Sequence, residues 1–110
     1  MDWIELSESE QVKNIKNESI THPDKSYVLF KHSTRCSTSR MALRMFESGW
    51  INQPPAYLIN VVENRPASNE AANLYHITHE SPQILVIRNG VCIYDASHSD
   101  IDPERVISIL

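Results

Sequence analysis

Ser26-Tyr27-Val28-Leu29-Phe30-Lys31-His32 runs directly into Ser33-Thr34-Arg35-Cys36-Ser37-Thr38-Ser39-Arg40-Met41-Ala42-Leu43, and the reading of this stretch decides how the rest of the chain is arranged. Its first part is almost continuously apolar and rich in β-formers, the pattern of a strand covered on both faces rather than a half-exposed hairpin strand. Past the polar Ser33-Thr34-Arg35 the period changes from strand to helix. Met41, Leu43, Met45, Phe46 and Trp50 fall into an apolar stripe that ends at Gly49 and is expected to pack on the sheet. Strand, short loop, cysteine, helix is the organising unit.

Downstream, Pro54-Pro55 breaks the chain before a second apolar strand, Ala56 to Val62. The helix between the two strands supplies the long crossover that parallel pairing requires, so the strands are expected to run parallel. Pro66 to Ile77 carries proline at a first-turn position with Ala, Leu and Ile at helical intervals, predicting another helix, and Thr78 to Gln83 reads as a loop. Ile84 to Arg88 and Val91 to Asp95 flank Asn89-Gly90, the pair best suited to a two-residue type I′ hairpin turn. Asp102 caps a last helix with Pro103 at its first position and Val106, Ile107 and Leu110 on one face. Upstream, Ser7 and Glu10 have the spacing of a capping box, and the helix they open stops at the Thr21-His22-Pro23-Asp24 turn. The order α, β, α, β, α, β, β, α describes a small α/β fold with a mixed four-stranded sheet and helices on both faces.

A chain of 110 residues with 41% hydrophobic and 22% charged residues suits one compact domain. Its net charge of −4 offers no overall basic field, so nucleic acid is not an expected partner. Two cysteines cannot build a disulfide framework, and MDWIELSESE has neither the basic stretch nor the apolar run of a secretory leader, which makes a reducing cytoplasm the expected compartment. No apolar run approaches the roughly 20 residues of a membrane span, so no membrane role is expected.

Cys36 is expected at the start of a helix, where free backbone N–H groups and the positive end of the helix dipole favour an anion. Arg35 adjoins it, Arg40 lies one turn on, and Lys31 and His32 precede it, so the local charge is positive although the chain is acidic. Cys36-Ser37-Thr38-Ser39 is a Cys-x-x-Ser pattern, with serine where a dithiol motif carries its second cysteine. Ser81-Pro82 stands directly before the third strand.

Together, FKHSTRCSTSRMAL and THESPQILVIRNG resemble the monothiol bacilliredoxins, thioredoxin-like general stress proteins linked to bacillithiol, and the similarity spans nearly the whole chain. One departure is Ser37, where that family usually has proline. The resemblance implies a thioredoxin-like three-layer fold, a cis-proline at Pro82, and Cys36 as nucleophile with Arg35, Ser37 and Ser39 steadying its thiolate. Thr34, Ser81 and Pro82 would shape the substrate site. It implies S-thiolated cytoplasmic proteins as partners, bacillithiol as co-substrate and no bound cofactor. Cys36 would take bacillithiol from a mixed disulfide, and a second bacillithiol would release it, since Ser39 cannot.

Other features read more plainly. Cys92 lies within a strand and is expected in the core rather than as a resolving partner. The five histidines, at 22, 32, 76, 79 and 98, show no zinc spacing, so no metal is expected. Arg44 reads as solvated. Two other readings stay open: a glutathione-linked monothiol glutaredoxin, whose CGFS-like sequence is absent, and a redox-sensing adaptor whose cysteine is modified without turnover.

Overall fold

A computed structural model describes all 110 residues. In chain order the elements are β1 (Trp3–Glu5), α1 (Ser9–Thr21), β2 (Tyr27–His32), α2 (Ser37–Gly49), β3 (Ala56–Asn60), α3 (Arg65–Tyr75), β4 (Gln83–Arg88), β5 (Val91–Ser97), a 3-10 turn (His98–Asp100) and α4 (Pro103–Ser108). They build one sheet of order β1-β3-β2-β4-β5. β3 runs parallel to both β1 and β2, whereas β4 is antiparallel to β2 and β5. No helix is long and apolar enough to cross a membrane.

The mixed sheet is as expected, but it has five strands rather than four. The additional edge strand is β1, whose Trp3, Ile4 and Glu5 lie opposite Ala56, Tyr57 and Leu58. Three residues are too few to show a period of two, so the strand exists by virtue of its partner rather than its own pattern. It also reaches α2: the Trp3 indole donates to Glu47 Oε2 at 2.7 Å and packs edge-on to Phe30 with ring centroids 5.8 Å apart.

Alternation along β2 divides the core in two. Tyr27 and Leu29 pack with Val12 and Ile15 of α1 and Ala71 of α3, whereas Val28 and Phe30 pack with Phe46, Trp50 and Val106 on the side of α2 and α4. The stripe expected along α2 is only half correct. Phe46 and Trp50 are buried, but Met41 and Met45 are 65% and 63% exposed. At 100° per residue Met45 points well away from Phe46, and the buried face is completed by Ser39 instead.

Local details follow the sequence closely. The cap of α1 sits one residue later than expected, with Gln11 Oε1 accepting the Glu8 N–H at 3.0 Å. Asn89 and Gly90 have φ of 51° and 80°, the left-handed pair of a type I′ turn, and the Gly90 N–H donates to Ser19 Oγ at 2.9 Å. A Cβ on Gly90 would fall 2.8 Å from Ile20 Cγ1, so any other residue at this positive-φ position would have to displace the Ile20 side chain.

Lys31 is the one charged side chain buried in the sheet, at 0% exposure. Its Nζ donates to Ser68 O at 3.0 Å and to His79 Nδ1 at 3.1 Å, with no carboxylate partner, and burial pulls its pKa down to about 8. Relative to the neutral amine, the buried ammonium costs the fold about 3 kcal/mol. The folded pKa lies below the unfolded one. The cost is therefore fully present below about pH 8 and is relieved as pH rises toward the unfolded value of 10.5. Lys31→Met should thus be more stable than wild type at neutral pH, by roughly 1–3 kcal/mol in urea unfolding, with the difference fading in alkaline buffer. A less stable Lys31→Met at neutral pH would show instead that the two hydrogen bonds outweigh the burial.

Candidate active site

Cys36 is the N-cap of α2, half-buried, with extended dihedrals of φ −115° and ψ 120°. Four residues separate the end of β2 from α2, and this turn is closed by the Cys36 N–H donating to Ser33 O at 3.3 Å. The Cys36 carbonyl then accepts from Arg40 N–H at 3.1 Å, beginning the helix. In an N-cap position the side chain faces the amides of the second and third helical residues, here Thr38 and Ser39.

The neutral thiol closes no hydrogen bond with that turn, but the thiolate is favoured there, and the Cys36 pKa lies below that of an ordinary cysteine. The Ser39 amide gives the largest pull; burial opposes it as the next largest effect, and the Thr38 amide, the Thr38 hydroxyl and the Arg40 charge each add a smaller lowering.

The roles expected from sequence are redistributed. Ser37 is exposed at the first helical position, where a side chain leads away from the cap, and Thr38 supplies the contacts instead. Ser39 acts on the thiolate through its backbone, while its hydroxyl is turned into the core. Arg35 bears on Glu63 rather than on Cys36; the guanidinium that bears on the thiol is that of Arg40. Arg40 Nη1 donates to Thr34 O at 3.0 Å, and Thr34 Oγ1 donates to Glu63 Oε1 at 2.7 Å. This bond, more than Arg35, keeps the Glu63 carboxyl below the usual range. Thr34 is therefore held from both sides two residues before the thiol. Glu63 is not legible in the sequence because nothing local links it to Cys36.

β4 begins beside the end of β2, with Gln83 opposite Lys31. Continuing that register sets Pro82 and Ser81 alongside His32 and Ser33, at the same end of the sheet as Cys36. The Ser81–Pro82 peptide bond is cis, Pro82 O accepts from His98 N–H at 3.0 Å, and Ser81 Oγ is buried without a hydrogen-bond partner. A pocket of about 210 Å³ opens between α2 and the 3-10 turn, lined by Thr38, Met41, Met45, His98 and Ile101 but not by Cys36 itself. A broader polar depression around Glu18 and His22 flanks the other end of β2 and has no part in this site. No three His, Cys, Asp or Glu side chains gather as metal ligands.

Cys92 stands apart from Cys36. It packs against the core on the α1 and α3 side of the sheet, whereas α2 covers the opposite face. Its Sγ donates to Tyr94 O at 3.2 Å, and burial pushes its pKa up to about 11. Both cysteines are free.

A parallel β2-α2-β3 unit, an antiparallel β4-β5 hairpin and one activated thiol at the start of α2 define a thioredoxin-fold protein with a single-cysteine site. The chain belongs to the monothiol bacilliredoxin BrxC family, whose model matches residues 4–106. Among solved structures it is similar to a thioredoxin-fold protein described as an oxidoreductase, with a TM-score of 0.80 and 26% identity over 96% of this chain and 90% of that one. Two thioredoxins share the fold. That of Malassezia sympodialis has a TM-score of 0.67 and 21% identity over 98% of this chain and 87% of its own, and thioredoxin O2 of Arabidopsis thaliana, in its oxidised state, has 0.71 and 15% over 97% and 90%. Family and fold together give the protein a thiol-redox function.

Two outcomes follow from these electrostatics. At neutral pH an alkylating reagent should label Cys36 and spare Cys92, and Arg40→Gln should move the pH profile of Cys36 labelling upward while Arg35→Gln leaves it in place. A larger displacement in Arg35→Gln would restore the role read from sequence. Ser37→Pro tests the family departure: Cys36 already has the extended backbone that a following proline demands. The substitution should leave the thiol profile unchanged and raise stability by about 0.4–1 kcal/mol in urea unfolding; a destabilised variant would mean that the Ser37 amide is needed.

Proposed function

We propose that this protein is a cytoplasmic monothiol oxidoreductase that removes bacillithiol from S-bacillithiolated proteins. The observation that carries the reading is a thiol at the N-cap of α2, its pKa lowered there, with no second thiol in reach: Ser39 fills the third position after Cys36, and Cys92 lies across the sheet with its pKa pushed up to about 11. An enzyme so built can accept a thiol but cannot expel it internally. The family match supplies bacillithiol as the thiol to test.

In the first step the Cys36 thiolate attacks the bacillithiol sulfur of the mixed disulfide. The S–S bond of the substrate breaks, a new one forms between Cys36 and bacillithiol, and the protein thiolate leaves to take a proton from solvent. In the second step another bacillithiol thiolate attacks the same bacillithiol sulfur. Cys36 departs as the thiolate that Ser39, Thr38 and Arg40 favour, and the product is bacillithiol disulfide. Each step exchanges one disulfide for another with no net oxidation, and a separate reductase must return bacillithiol disulfide to the thiol. Ser81 and Pro82 line the substrate side with Thr34, and the exposed Met41 and Met45 offer an adaptable apolar surface to varied protein substrates.

The test is release of bacillithiol from a bacillithiolated protein in the presence of free bacillithiol, followed by mass spectrometry. Multiple turnovers are expected, abolished in Cys36→Ser and largely retained in Cys92→Ala. Equal loss in both variants would indicate a dithiol cycle. Faster turnover with glutathione in place of bacillithiol would reassign the thiol, and a single stoichiometric transfer without turnover would make the protein a sensor.

A further inference from the structure

His32 ends β2 with its side chain on the α2 face, 6% exposed, and the Ser39 hydroxyl beneath it is fully buried. Ser39 Oγ lies 2.8 Å from His32 Nδ1 and 3.0 Å from the Ser33 nitrogen. A hydroxyl has one proton and two lone pairs, and the Ser33 N–H can only donate. Oγ therefore accepts from the Ser33 N–H and shares one further hydrogen bond with Nδ1, in which a neutral His32 is the acceptor as its Nε2–H tautomer or the donor as its Nδ1–H tautomer. Burial favours this neutral ring by pushing the His32 pKa down.

The three residues bracket Cys36. Ser33 is held at both its peptide groups, its N–H by Ser39 Oγ and its carbonyl by Cys36 N–H. The Ser39 amide, on the residue whose side chain is fixed, is the group that most favours the thiolate. We propose that His32 is a positioning residue for Cys36: through the Ser39 hydroxyl it locks the first turn of α2 onto β2, so that the Ser39 amide stays aimed at the sulfur. Ser39 is then a structural bridge, which deepens the reading of Cys36 as the nucleophile on which the proposal rests.

The experiment follows iodoacetamide alkylation of Cys36 against pH, by mass of the peptide that carries it, in full-length wild type, His32→Leu, His32→Asn, Ser39→Ala and the double variant His32→Leu/Ser39→Ala. It needs no bacillithiol, so failure of the proposed function in the turnover assay leaves this test intact. His32→Leu and Ser39→Ala should each lower the neutral-pH rate by roughly three- to tenfold, converging with wild type in alkali where the thiol is ionised regardless. The double variant should be no worse than either single one, because both break one link. His32→Asn, whose side-chain oxygen sits where Nδ1 does, should keep the wild-type profile. Unchanged midpoints in His32→Leu, or equal displacement of the Asn and Leu variants, would overturn the proposal. If His32→Leu fails to fold, Ser39→Ala and His32→Asn decide it, a wild-type profile in Ser39→Ala or a displaced one in His32→Asn overturning it.

Discussion

Two strands that run the same way can be joined only by a chain that crosses back over the sheet, and in this protein that crossing is made by α2 between β2 and β3. The consequence is geometric. The helix must start at the end of the sheet where β2 stops, so its unpaired amides gather there, and the residue in the last extended position before it faces them. Cys36 is that residue. Its acidity follows from the topology before any charged side chain is considered, which is why the amides of Ser39 and Thr38 precede the Arg40 charge among its causes.

The same constraint explains how an acidic chain can stabilise an anion. A net charge of −4 is spread over a solvated surface, where its effect is screened over about 8–10 Å. The first turn of α2 acts at hydrogen-bonding range and contains no acidic residue. Glu63 is the carboxylate tied into the turn before the thiol, and it is engaged by the Thr34 hydroxyl and by Arg35. Arg35 thereby offsets a nearby negative charge and leaves the direct electrostatic part to Arg40.

What the sequence discloses depends on whether a residue's role is written in its neighbours. β2, α2, the Asn89-Gly90 turn and the place of Cys36 all rest on local period or local dihedral preference, and all are legible. β1 is not, since three residues carry no period and its evidence is the register with Ala56 to Leu58 on another strand. Met41 and Met45 depart from the expected stripe for a related reason: apolar residues one turn apart mark a face, but which face is buried is settled by Phe46 and Trp50 against the sheet. Around the thiol, nearness along the chain differs from nearness in space. Arg35 adjoins Cys36 in sequence yet acts on Glu63, and Ser39 could be placed by its spacing while its hydroxyl's bond to His32 could not.

Lys31 and His32 show how one strand end can govern both flanks of such a site. As successive residues of β2 they point to opposite faces of the sheet, and both bury a polar head. His32 reaches Ser39 and fixes the start of α2. Lys31 reaches Ser68 of α3 and His79, in the segment that leads to Ser81 and Pro82. An apolar pair would pack at least as well in a core otherwise made of Leu29, Phe30 and their neighbours, and for Lys31 it would relieve a charge buried at a cost to the fold. Apolar contacts, however, are non-directional and would leave α2 and the segment before β4 free to slide by fractions of an ångström. A hydrogen bond fixes distance and direction together. Both elements are thereby referred to one rigid point, the last two residues of the central strand, at the end of the sheet where Cys36 also stands.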